Sequence, residues 1–335
     1  MIETLFSPLH SLDESIITQV RVPEDSLGRL SDIVIKLASH QKTATPHIKQ
    51  PWISVFAANQ AGQSIQNGHS ALNRLAQQQA IPIDLVHIDL ENETPNGVQA
   101  PAMSKAELIE AMSHGIQAAE RAKAAGSDLL ITGEASASNT ASAIAMVAVL
   151  SGKPVEELMS LGRERLMRSQ KAEAELIQAT IELHQAHLSS PLQILQHLGD
   201  LEAAALCGAY IRAAQLGMTF VVDSFMGAVA FWVADMISRN DQLVDCDTLD
   251  EFMDLGKYSV PETMFCLCGT CTRLVEWSFF AQISDNPIHG WVLETLAVEP
   301  LLSLNLNIGQ ATGATLSLSL IQQACDIHNP LSKSN

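Results

Sequence analysis

The stretch best placed to do chemistry is LNIGQATGATLSL, residues 306–318. Gly309 and Gly313 bracket Gln310, Ala311 and Thr312, and a small-residue apolar run follows. The spacing predicts a loop feeding a helix N-terminus, where free N–H groups can hold an anion. A ligand seated there meets Gln310. An amide can donate and accept hydrogen bonds, but it neither takes nor releases a proton at neutral pH.

Carboxylates recur at the ends of other apolar runs. DLLITGE ends in Gly133-Glu134 and continues into ASASNTASAIAMVAVLSG, a helix start rich in small residues. That junction is either a wall of a ligand pocket, with Glu134 and Asn139 as polar contacts, or an ordinary capped turn. Glu202 lies inside the small-residue helix pattern LGDLEAAALCGA, where an acid needs a partner or a ligand. Asp223 closes the run in VVDSFM. A strand-end carboxylate alone is commonly a cap; Glu134, Glu202 and Asp223 together suggest an acidic site.

Two metal-like patterns carry less. Cys266, Cys268 and Cys271 fall in CLCGTC. On a strand Cys266 and Cys268 share a face while Cys271 lies past the end, so buried apolar cysteines are favoured over a metal site. His184 and His187 fall on one helical face with no carboxylate to complete a set, and solvated histidines are expected.

The elements that must position these residues alternate. Apolar runs at 52–58, 83–90, 128–134, 219–224, 264–269 and 279–284 read as buried parallel strands. Helical patterns lie between them, at 104–126 and 201–217 among others, and 151–198 reads as mostly helical. Alternation of this kind predicts a doubly wound α/β sheet, with ligands beyond the carboxyl ends of the strands. The first fifty residues read as helices, at 12–22 and 25–41, followed by a proline-marked connection at 42–51.

Composition agrees. Hydrophobic residues make up 47% of the 335 and aromatics only 4%, so aliphatic side chains and alanine must build the core. A net charge of −18 argues against nucleic acid or an anionic membrane as partner. The most apolar window, 219–237, contains Asp223 and Asp235 and reads as strand, turn and helix rather than a membrane span. The start MIETLFSPLHSLDE lacks the basic region of a secretory signal, which points to the reducing cytoplasm and to unpaired cysteines.

In order along the chain, SLGRL (26–30), GEASASNTASA (133–143), GDLEAAALCGA (199–209), FVVDSF (220–225) and VEPLLSLNLNIGQATGATLSLSLIQQA (298–324) resemble the signatures of nicotinate-nucleotide:dimethylbenzimidazole phosphoribosyltransferases of cobamide lower-ligand synthesis. The resemblance spans nearly the whole chain. It implies a Rossmann-like domain over 51–335 and a small helical domain to which 1–50 contributes. It also implies a homodimer, no metal or organic cofactor, and transfer of phosphoribose from nicotinate mononucleotide to dimethylbenzimidazole or a similar base. By position it assigns catalysis to Glu134 and to the residue at 310. It assigns substrate contacts to Asn139, Thr140, Lys171, Glu202, Asp223, Ser284, Gly309, Thr312 and Gly313, and it marks His289 beside Ser284.

The departures are local. The resemblance calls for a glutamate base where Gln310 stands, and for Asp-His-Gly where the chain has ANQAGQ (58–63). Asn286 replaces a glutamate, and SLGRERL (160–166) replaces a glycine-richer stretch. Two readings follow: an enzyme of this kind, impaired or using another acceptor, or a homologue that binds nucleotide or pairs with an active paralogue.

Overall fold

A computed structural model describes residues 7–20, 27–58, 62–88, 100–136, 140–162, 166–239 and 273–333. Six strands form one parallel sheet in the order β2-β1-β3-β4-β5-β6. They are β1 (Pro51–Ala58), β2 (Ile83–Ile88), β3 (Leu129–Ala135), β4 (Thr219–Val222), β5 (Ser278–Gln282) and β6 (Pro300–Leu302). The chain steps outward from β1 to β2 and then back across to β3. The order therefore reverses between β1 and β3, and the crevice beyond their carboxyl ends is the ligand position such sheets provide.

Period-two alternation along the strands builds the two layers. Ile53, Val55 and Ala57 face one core with helices Arg29–Gln41, Ala71–Gln78 and Thr312–Lys333. Phe56 and Ala58 face the other, with helices Lys105–Ala124, Leu201–Gln215 and Phe225–Arg239. The Lys105–Ala124 helix opens on a capping box between Ser104 and Glu107. Asp200 caps Leu201–Gln215 by accepting from the Ala203 N–H at 2.7 Å.

Five of the six expected strands are present. The sixth, 264–269, lies outside the described residues, as do Cys266, Cys268 and Cys271. The sheet gains β6 instead, three residues at the edge beginning with Pro300, a residue that strands tolerate at an edge or a first position. In the region 12–22, which the sequence pattern makes α-helical, Glu14–Gln19 forms a 3₁₀ helix. The histidines differ as well. His187 sits in a 3₁₀ turn rather than on the helix. His184 is buried, with its Nδ1 3.2 Å from His197 Nδ1. Only His184 departs from the expected solvated pair, because helix Pro191–Leu198 packs His197 against it; His187 is exposed, with its ring stacked on His197.

Candidate active site

Two sequence-distant glycines create the site. Gly133, near the end of β3, faces the turn before the last helix; a Cβ there would overlap the backbone N of Ala311. Gly313, in the first turn of that helix, faces the end of β4; a Cβ there would stand 2.6 Å from Asp223 Oδ1 and 2.7 Å from Gln282 Cγ. Only residues without side chains let these backbones meet. The junction joins β3, β4, β5 and the N-terminus of Thr312–Lys333, as the loop-to-helix reading of 306–318 expects.

The connecting turn is unusual. Gly309, Gln310 and Ala311 have φ of 63°, 57° and 62°, three left-handed residues in succession. For a residue with a side chain that region costs roughly 1–2 kcal/mol. Packing against Gly133 and hydrogen bonds at both ends hold the turn. Thr312 N donates to the Gly309 carbonyl at 3.0 Å and Thr315 N to the Ala311 carbonyl at 2.9 Å. Upstream, the Gln282 side chain pairs with a backbone as a strand would. Its Nε2 donates to the Leu306 carbonyl at 2.9 Å and its Oε1 accepts from the Leu306 N–H at 3.1 Å.

Four carboxyl groups border this turn or the neighbouring strand ends. Glu134 is buried at the tip of β3 and accepts from the Ser224 hydroxyl at 3.2 Å; a Cβ on Gly309 would lie 3.9 Å from its Oε1. Asp223 is buried beyond β4, with neither oxygen in hydrogen-bonding geometry. Burial pushes its carboxyl up to about 7, against the pull of nearby N–H groups at Ser224, Ala314, Gly313 and Ala311. Glu202 accepts from the Ala58 N–H at 3.1 Å, tying the first turn of its helix to the end of β1. Burial raises its pKa despite that bond. Asp200 is raised well above the ordinary range, first by burial and then by the Glu202 charge, with Glu134 adding to it. The crevice is therefore acidic, and burial raises Asp200, Glu202 and Asp223 above the ordinary carboxyl range.

A family model described as phosphoribosyltransferase matches residues 12–243 and 260–335. The chain belongs to this phosphoribosyltransferase family. It is 30% identical over 342 residues to a protein of Azotobacter vinelandii named nicotinate-nucleotide–dimethylbenzimidazole phosphoribosyltransferase, with 92% of this chain and 88% of that one covered. A protein of the same name from Pseudomonas fluorescens is 32% identical over 345 residues, covering 93% and 89%. The fold is similar to that of CobT from Thermus thermophilus, with a TM-score of 0.71, 23% identity and 93% of each chain covered.

Within this phosphoribosyltransferase fold the other singled-out residues fall in four places among the described residues. Thr312 and Gly313 are buried at the helix start, and the Thr312 hydroxyl has no partner. Thr140 is the first, exposed residue of helix Thr140–Ser151, while Asn139 lies outside the described residues. Ser284, two residues past β5, is buried against His289: its N–H donates to Nδ1 at 3.2 Å, so the ring proton sits on Nε2. Burial lowers His289 to about 4, which keeps it neutral. Lys171 stands exposed on Arg168–His184, beside a groove of about 490 Å³ that it shares with Glu156, Glu175 and Glu182.

Sequence reasoning missed Asp200, Ser224 and Gln282. Asp200 carried a signal, a Gly-Asp pair directly before a helix pattern, the mark of a cap. Gln282 carried one too, as an amide inside an otherwise apolar strand. Ser224 had none, because its role depends on a left-handed φ of 68°.

Proposed function

We propose that this protein transfers the phosphoribosyl group of nicotinate mononucleotide to a ring nitrogen of dimethylbenzimidazole or a similar aromatic base. The observation that carries the reading is the meeting of Gly133-Glu134 with the Gly309–Gly313 turn at the crevice where the strand order reverses. The bond from C1′ of the ribose to the pyridinium nitrogen breaks, and its electron pair leaves with nicotinate. C1′ gains oxocarbenium character, which Glu134 and, when ionised, Glu202 and Asp223 stabilise through their field. The acceptor nitrogen closes the new bond from its lone pair, and the ring N–H proton is then released. The helix start at Thr312, with its unpartnered buried hydroxyl, suits the phosphate. Asn139, Thr140, Lys171 and Ser284 complete the contacts in this reading, and no metal or organic cofactor takes part.

Release of the proton is the weak step. Gln310 lies where a general base belongs, and a positioned base contributes roughly 10²–10⁴ in rate. Water, or Glu134 through a water, takes the proton instead. Gln310 also favours a second reading, a non-catalytic homologue that binds nucleotide or pairs with an active paralogue. One incubation separates the two: nicotinate mononucleotide with a panel of benzimidazoles, purines and phenols. Acceptor-dependent release of nicotinate is expected, and its absence across the panel favours the second reading. The enzyme is read as a cytoplasmic homodimer with a small helical domain drawn from residues 1–50. Among the described residues no helix is long and apolar enough to cross a membrane.

A further inference from the structure

Asp223 is placed too deep for a carboxylate whose only task is to face a ligand. Both oxygens are sealed from solvent, and the backbone N–H groups of Ser224, Ala311, Gly313 and Ala314 face them without reaching full hydrogen-bonding geometry. A Cβ on Gly313 would stand 2.6 Å from Oδ1, so the first turn of the last helix closes that side of its compartment. That same turn continues from three successive left-handed residues, one of which is Gln310. We propose that Asp223 is a positioning residue that sets the balance between this packed turn and a displaced one. Its neutral carboxyl favours the packed turn, and its carboxylate favours the displaced turn. The inference goes beyond phosphoribosyl transfer and stands whatever the acceptor is.

The physical reason is desolvation. A charge held where water is excluded, without a complete set of hydrogen bonds, is strongly disfavoured. Displacing residues 309–313 admits water and removes that penalty, so ionisation and displacement go together. Glu134, from β3, accepts from the hydroxyl of Ser224, the residue next to Asp223. The Tyr210 phenol of helix Leu201–Gln215 is pushed up first by burial, with the charges of Cys207, Asp223 and Glu134 adding to it. From β5 and the last helix come Gln282 and Thr312, which carry no charge. In the packed form burial holds the acid up to about 7, whereas a hydrated aspartate titrates near the ordinary 3.8. The packed turn therefore binds the proton more tightly. Displacement grows as pH rises between those two values, by up to about tenfold per pH unit, and levels off above the upper one.

Hydrogen exchange on the full chain tests this without any turnover. Amide exchange of 309–314, corrected for intrinsic rate and referred to helix Leu201–Gln215, is followed from pH 5 to 8. In the wild type the corrected exchange is expected to rise about tenfold or more between pH 5 and 7. Asp223→Asn, which mimics the neutral acid in shape, should remove the rise, and Glu134→Gln should keep it. A flat wild-type profile overturns the proposal, as does an unchanged rise in Asp223→Asn. A rise lost only in Glu134→Gln overturns it too, by moving the role to Glu134. Should Asp223→Asn fail to fold, the wild-type profile decides alone.

Discussion

At position 310 an amide occupies a left-handed turn beside Gly309, which faces Glu134, and its shape matters as much as its charge. Glutamate and glutamine are nearly isosteric, so Gln310→Glu should preserve the backbone that Gly133 and Gly313 allow. The new acid would be half-buried near other carboxylates, both of which raise its pKa and improve it as a proton acceptor. The expected outcome is faster transfer to dimethylbenzimidazole, by ~10-fold or more within the roughly 10²–10⁴ that a positioned base supplies. A mutant that binds nicotinate mononucleotide yet releases nicotinate no faster would show that no acceptor sits beside the turn. The opposite experiment is steric. Gly313→Ala places a methyl group 2.6 Å from Asp223 Oδ1 and 2.7 Å from Gln282 Cγ, two side chains that are themselves buried. Overpacking of this kind typically costs roughly 1–3 kcal/mol. Differential calorimetry should show a lowered melting temperature, and nucleotide binding should weaken.

At the scale of elements, Gln282 does what a strand neighbour would otherwise do. Its two bonds to Leu306 hold a segment whose own side chains Leu304 and Ile308 are exposed and bury little. Gln282→Leu keeps the apolar volume but leaves both Leu306 groups to water. Because water can solvate them, global stability should fall by only about 1 kcal/mol. Limited proteolysis should nevertheless cut within 303–310 faster than in the wild type; equal rates would mean that the turn is held by Gly133 packing alone. This element also shows what sequence can and cannot reveal. β1, β3 and β4 were legible because parallel strands buried on both faces leave unbroken apolar runs. β6 was not, since three residues starting with proline carry no periodicity. Gly133 and Gly313 were recognisable as glycines of interest, but their mutual dependence through Ala311 and Asp223 arises only when β3 and the last helix meet. Asp223 itself was legible as a strand-end acid; its sealed compartment was not, because burial is a property of the assembled elements.

On the scale of the whole molecule, the amino-terminal ends of β4 and β5, opposite the site, are fastened by a neutral histidine. Helix Arg29–Gln41 sends Lys36 to the carbonyls of Val275 and Ser278, and His40 to the start of β4. His40 Nε2 meets the Glu276 carbonyl at 2.6 Å, and a carbonyl can only accept, so Nε2 carries the proton. Nδ1 is then the acceptor for the Thr219 hydroxyl at 2.6 Å, and the ring stacks on Trp277. Charging the ring would reverse the Thr219 bond, turning the hydroxyl into an acceptor, and would place a charge in an apolar setting. Burial, with Lys36 nearby, accordingly lowers His40 to about 3. A histidine lowered in the folded state stabilises the fold fully above its unfolded pKa of 6.5, and that contribution drains away as pH falls toward 3. Between pH 6.5 and 4.5 the loss should reach about 2 kcal/mol. Asp223 runs the other way over part of this range, because an acid raised in the folded state gains stability as pH falls from about 7. The two contributions can therefore be separated only by a difference. His40→Gln retains one hydrogen bond and cannot be charged. Its melting temperature should lie below that of the wild type at pH 7, and the gap should narrow steadily toward pH 4.5. A gap that stays constant would place the acid sensitivity of the fold elsewhere and leave His40 as a packing residue.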